Sequence, residues 1–288
     1  MRDFNYELKE LCRRNRDGSY ATQANRERIL DQMANQLHEL GFRHMHAASL
    51  KPKHIDALIE RWRSEQLNPG TIKNRMAHLR WLAEKTGKSD MIARSNDAYG
   101  IPERTLVSQV SKATQLDFER LARMTDPYTQ MSLRLEASFG LRREESIKIR
   151  PAWADRGDRI VLLPSWAKGK RGREIPIRTA EQRHLLDEAK RLAGTGSLIP
   201  KTMRYVDQLQ RFVAQCEKVG IHHVHGLRHH YAQARYRELT GWDCPAQGGP
   251  KSKQLTPEQK EIDRDARMTI TEELGHSREQ VTAIYLMR

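Results

Sequence analysis

The sequence predicts a mainly α-helical protein with one small β-hairpin. It reads as an N-terminal helical bundle followed by a mixed α+β domain. Three observations carry this. Apolar residues recur at helical spacing along most of the chain. The one confident β signal is "RIVLLP" and "REIPI" flanking the turn-rich "KGKRG". Helical patterning lapses between about residues 96 and 114, which splits 288 residues into two parts of domain size.

The first part, 1–95, repeats one pattern. Ile29, Leu30, Met33, Leu37 and Leu40 form an apolar stripe, as do Ile55, Leu58, Ile59 and Trp62. After the turn "NPG", Ile72, Met76, Leu79 and Leu82 form another, and Gly87 is a stop signal. Lys73 and Arg80 share a face beside that stripe. With Arg75 they are candidate DNA contacts on the bundle's basic surface. Residues 96–114 read as a linker. In the second part, 115–288, Met131, Leu135 and Phe139 recur every four residues. The hairpin spans about 158–178, with a basic tip of Lys168, Lys170 and Arg171 and with Arg173 beyond it. Such a tip suits contact with a DNA backbone or groove. Helical patterns follow at 179–193, 203–219, 225–239 and 257–274. The Gly-, Pro- and polar-rich segment before the last of these reads as a mobile loop.

Charge narrows the partner. There are 51 Lys and Arg against 37 Asp and Glu, a net charge of +14. An excess of that size favours a polyanion, most often nucleic acid. No apolar run approaches the ~20 residues that span a bilayer. The start "MRDFNYELKE" has no apolar core of the signal-peptide kind. The three cysteines, Cys12, Cys216 and Cys244, lie far apart, as in a reducing compartment. These features point to a soluble, cytoplasmic, nucleoid-associated protein with no membrane partner.

Four segments place unusual polar groups in apolar helical settings. In "SFGLRREES", Glu145 follows Arg142 by three residues. The hairpin tip is the second. In "HVHGLRHHYA", His225 and Arg228 share one helix face. His225 and His229 have a spacing that zinc sites use, but the Glu of H-E-x-x-H is missing, so no metal is assigned. In the tail "LGHSREQVTAIYLMR", Ser277 and Gln280 match a capping box, which predicts a helix starting right after His276. Tyr285 would lie about two turns along it. Together these groups suit a phosphodiester site. Arginine forks bind two non-bridging oxygens, and preorganised donors stabilise the charge that develops in the transition state. A tyrosine hydroxyl needs a base or a positive field to attack. The expelled sugar oxygen needs an acid, which a lysine can supply. Fixed cations take the place of a metal, and no cofactor is called for.

The order "GLRREE", "AKGKRGREIPI", "HGLRHHYA", then "LGH" and a tyrosine nine residues later resembles the tyrosine recombinase (phage integrase) family. The family pattern of Arg, hairpin Lys, His-x-x-Arg, His and Tyr falls on Arg142, Lys168, His225, Arg228, His276 and Tyr285, with Lys170 the alternative hairpin lysine and Lys168 the better fit, since Arg173 then falls five on. Glu145 matches the acidic residue common after the first Arg, and His229 is a second supporting position. The resemblance implies a helical core-binding domain and a tyrosine-recombinase catalytic domain that clamp duplex DNA. It implies attack by Tyr285 on the scissile phosphate, a 3′-phosphotyrosine, and rejoining by a 5′ hydroxyl from a second duplex, for integration or excision of a mobile element. It also implies a tetramer on DNA, and a monomer or weak oligomer free of it. The alternatives are a type IB topoisomerase-like enzyme and a DNA-binding protein that has lost catalysis. Two departures stand out. Arg228 and His276 are 48 positions apart, about twice the family's usual interval, so about 240–264 reads as an inserted loop. Only "LMR" follows Tyr285, where the family usually continues with a segment that docks on a neighbouring protomer.

Overall fold

The computed structural model describes residues 2–104, 110–167 and 169–288. It divides into two compact units, Met1–Thr105 and Leu106–Arg288. Among the described residues no helix is long and apolar enough to cross a membrane.

Among its described residues the first unit packs four α-helices: α1 (Asp3–Arg14), α2 (Tyr20–Glu39), α3 (Pro52–Ser64) and α4 (Pro69–Lys85). Their starts are chemically marked. Ser19 accepts from the Thr22 amide at the head of α2. Asn68 caps α4 ahead of Pro69, where a missing N–H costs nothing. The predicted stripes converge on one core that includes Leu30, Leu37, Leu58, Trp62, Met76 and Leu79. Each such side chain contributes about 1.5–3 kcal/mol through burial. The fully buried Trp62 donates its indole N–H to Gln36 Oε1 at 2.9 Å. Ile101 also sits in this core, so the beginning of the stretch read as a linker belongs to the first unit.

The second unit begins with short helices: α5 (Phe118–Ala122), α6 (Pro127–Phe139), α7 (Arg143–Lys148) and α8 (Pro151–Ala154). The hairpin follows. β1 (Arg159–Leu162) pairs antiparallel with β2 (Arg173–Pro176), with Ile160 opposite Ile175. Then come α9 (Ala180–Ala193), α10 (Tyr205–Val219), α11 (His225–Thr240), α12 (Pro257–Leu274) and α13 (Glu279–Leu286). α6, the hairpin and α9 share one apolar core. α11, α12 and α13 share another that holds Tyr231, Tyr236, Ile270 and Leu286.

Two expectations are corrected. No Ser277 side-chain cap forms. α13 begins at Glu279 behind Arg278, whose extended backbone (φ −149°) ends the preceding turn. The 240–264 segment is also more ordered in character than a mobile loop. It contains 3-10 turns at Pro245–Gln247 and Ser252–Gln254, and Cys244 and Leu255 are buried. From Pro257 onward it is already α12, begun by a Thr256–Gln259 capping box.

Candidate active site

Three chain reversals assemble a polar cluster in the second unit. α6 ends at Gly140 in the left-handed region (φ +61°), and Arg142 then caps α7. A Cβ at position 140 would lie 2.5 Å from Tyr231 Cδ1, so only glycine lets α6 and α11 approach this closely. The first two turns of α11 present His225, Arg228 and His229. α12 ends at Gly275, and the chain turns through His276 into α13, which carries Tyr285.

Tyr285 is buried, with 7% of its surface exposed. Its hydroxyl lies 2.8 Å from His225 Nε2. Its ring stacks on His229, with centroids 4.0 Å apart and planes 17° apart. The His276 ring is 5.0 Å away. Arg228 is almost fully buried and donates to the carbonyls of Gly140 and Leu274, which ties the ends of α6 and α12 together. Its Nη2 also meets His276 Nε2 at 3.2 Å. The other nitrogen of His276 meets Thr282 Oγ1 at 2.8 Å, Thr282 meets Thr271 Oγ1 at 2.6 Å, and Thr271 donates to the Arg267 carbonyl at 2.7 Å. Since an arginine only donates, Nε2 accepts and Nδ1 carries the proton. This relay fixes the tautomer and the ring plane of His276.

Arg142 is held by its neighbour three residues on. Its amide and guanidinium both donate to Glu145, each at 2.8 Å. Glu145 is fully buried and is gripped a second time by the fork of Arg173, at 2.7 and 2.9 Å. Burial would raise the Glu145 carboxyl, but Arg173, Arg228 and Arg142 together hold it down to about 2. Burial, with the charges of Arg228 and Arg142, lowers His225. Burial and those arginines take His276 down to about 3, and burial takes His229 to about 4. All three rings are therefore neutral at pH 7. Among the described residues, no three His, Cys, Asp or Glu side chains gather as a metal site.

Two family models match the chain. The phage integrase N-terminal model covers residues 1–92, and the integrase model covers 103–234. The chain belongs to the phage integrase (tyrosine recombinase) family. No curated protein matches it. Its fold resembles several solved integrase-family structures. XerH site-specific recombinase, in a post-cleavage complex with a palindromic difH substrate, superposes with a TM-score of 0.59 at 13% identity, over 98% of this chain and 80% of that one. A lambda integrase dimer on a COC′ core site gives 0.59 at 14% identity, over 98% and 94%. The Tn1549 transposon integrase with transposon right-end DNA gives 0.57 at 15%, over 97% and 94%.

Of the residues this family pattern selects, the fold brings together Arg142, His225, Arg228, His276 and Tyr285, with Glu145 and His229 behind them. Lys168 lies outside the described residues. Lys170 and Arg171 are exposed at the hairpin tip, and Lys73 is half-buried on α4. Three of the expected DNA contacts are engaged within the protein. Arg173 points inward with Ile175, as strand alternation places residues two apart on one face, and is spent on Glu145 and the Glu273 carbonyl. Arg75 is buried, with its guanidinium over the Trp62 ring at 5.2 Å, because it lies on the apolar side of α4 with Ile72 and Leu79. Arg80 holds the Ala93 carbonyl and the Asn96 side chain. The first unit does present a basic cleft at the head of α4, about 560 Å³, lined by Arg28, Asn74, Arg75 and Arg104.

Sequence reasoning did not single out Thr271 and Thr282, which orient His276, or Glu273, which accepts from Tyr231 at 2.8 Å and pairs with Arg235 at 2.9 Å. Nor did it find Glu136. That carboxyl is buried beneath Ser146, at 2.9 Å, and burial raises it to about 8. Its i, i+3 spacing from the core residues Leu133 and Phe139 was the available signal.

Proposed function

We propose that this site-specific DNA recombinase cleaves and rejoins duplex DNA through Tyr285. The observation that carries the reading is the 2.8 Å contact between the Tyr285 hydroxyl and His225 Nε2, beside two arginines. Neutral His225 accepts the phenolic proton as the oxygen attacks the scissile phosphorus. Arg142 and Arg228 bind the non-bridging oxygens and stabilise the charge of the pentacoordinate transition state. His276, fixed by Thr282, adds a further ring at the same centre. The P–O5′ bond breaks, and the expelled oxygen takes a proton from Lys168, the family's hairpin lysine. The products are a 3′-phosphotyrosine and a free 5′ hydroxyl. Attack by the 5′ hydroxyl of a second duplex reverses the step, so the covalent bond conserves the energy and no cofactor is consumed.

Duplex DNA is the partner, and the arrangement on it is multimeric. The neighbours in fold include a lambda integrase tetramer bound to a Holliday junction, and the net charge of +14 suits a long polyanion. The basic cleft of the first unit and the hairpin tip are surfaces for the phosphate backbone. The role is integration or excision of a mobile element.

The test is to locate the attachment point. The DNA site is selected by binding from random-sequence duplexes, nicked to trap the intermediate, and the adduct is digested and read by mass spectrometry. The expected product is a nucleotide 3′-phosphate on Tyr285. Attachment to another residue, or through a 5′ end, contradicts the mechanism.

A further inference from the structure

The inserted segment between α11 and α12 lies against α13, and we propose that it is a brace that positions Tyr285 within this chain's own active site. The proposal rests on the reading of Tyr285 as the nucleophile. It names Gln247, Gln233 and Arg288 as positioning residues.

The segment attaches to α13 at two places. The first is the backbone of Tyr285. Gln233, buried on α11, donates Nε2 to the Tyr285 carbonyl at 2.9 Å and to Ser111 Oγ at 3.1 Å. Its Oε1 accepts from Gln247 Nε2 in the inserted segment. An amide offers two donors on one side and one acceptor on the other. A donor at position 247 therefore dictates which way the Gln233 amide faces, and so whether its N–H reaches Tyr285. The second attachment is one turn further on. Arg288 donates to the Pro250 carbonyl at 2.7 Å and pairs with Asp263 of α12 at 2.7 Å. Asp263 is also held by Tyr236 at 2.6 Å and Arg267 at 3.0 Å.

The segment is shaped for this. Cys244 is fully buried in the cluster that contains Tyr285 and Leu286, with Trp242 and Ala246 packed against it. The Cys244 carbonyl accepts from the amides of both Gln247 and Gly249, which turns Gln247 back toward α11. A Cβ at position 249 would lie 1.6 Å from the Asp243 carbonyl oxygen, so the turn requires glycine there. Filler between two helices needs neither a side-chain donor aimed at a buried amide nor a carbonyl presented to the residue three beyond the nucleophile. A nucleophile displaced by an ångström loses about two orders of magnitude in rate, so such anchoring has catalytic leverage.

The test compares Gln247→Glu with Gln247→Lys in the full chain. Glutamate removes the donor and places a carboxylate against the Gln233 oxygen, whereas lysine keeps a donor. Three quantities are read: adduct formation on the nicked site at saturating DNA, affinity for the intact site, and hydrogen exchange of the α13 amides. For Gln247→Glu we expect adduct formation to slow about tenfold or more. Affinity should stay within about twofold, and exchange should rise in Glu279–Leu286 alone. Gln247→Lys should stay within about threefold of the unsubstituted protein in all three. The brace is refuted if Gln247→Glu cleaves normally or slows without added exchange in α13. It is equally refuted if affinity and exchange change throughout, or if lysine fails as glutamate does. A failure of the underlying mechanism looks different: Tyr285→Phe would then still form the adduct.

Discussion

In the proposed mechanism Tyr285 and His225 set the pH behaviour of cleavage. His225 acts when neutral, and burial with the charges of Arg228 and Arg142 lowers its pKa. We therefore expect the single-turnover cleavage rate to hold as pH falls past the ordinary histidine value of about 6.5 and to decline only in more acid solution. Glu136 makes the opposite kind of prediction, about stability. Its folded pKa of about 8 lies above its ordinary value, so the folded state holds the extra proton. That contribution is full below about 4.5 and is lost as pH rises through 8. Glu136→Gln should remove this slope and raise stability at pH 8 by on the order of a few kcal/mol, read by denaturant unfolding. Arg173 belongs to the same scale. Replacing it with Met leaves the buried Glu145 carboxylate with Arg142 alone and should cost about 3–5 kcal/mol. Arg173→Lys, which keeps the charge but not the fork, should fall between. The cluster was legible because Arg142, His225, Arg228, His276 and Tyr285 each stand in a recognisable short motif. The burial of Arg173, Arg75 and Glu136 was not read, because a charged residue reads as exposed unless its place on an inward face is counted first.

Helix patterning was the most readable feature at the scale of elements. α9, α11 and α12 follow apolar periods and clear stop signals, and the hairpin follows its turn-rich centre. The start of α13 was not readable. Ser277 and Gln280 have capping-box identities, but the chain leaving Gly275 is held by the His276 amide on the Thr271 carbonyl, and the helix begins three residues after His276. That tertiary constraint leaves no local trace. The same junction gives a prediction. Thr282→Val keeps the shape but removes the acceptor for His276 Nδ1. With that tautomer unfixed, we expect adduct formation to drop about tenfold while DNA affinity is unchanged, measured on the nicked site. Gly140→Ala should act on stability instead. The left-handed backbone and the 2.5 Å approach of Tyr231 leave no room for a methyl group, so the melting temperature should fall.

At the scale of the whole molecule, charge and chain order decide the function. A net charge of +14 on a two-unit chain accounts for binding to duplex DNA, and binding should weaken steeply as salt displaces the phosphate contacts. In the mechanism we propose, the five clustered side chains carry the strand cleavage that follows. They come from α11, the turn after α6, the turn after α12, and α13. The fold brings those four places together, and the proposed mechanism sets one phosphate among them. The most direct measurement is covalent capture on a nicked recombination site in the presence of EDTA, comparing the unsubstituted protein with Tyr285→Phe. The account predicts a protein–DNA adduct for the first and none for the second, with equal noncovalent affinity. An adduct with Tyr285→Phe, or its loss from the unsubstituted protein in EDTA, would contradict it.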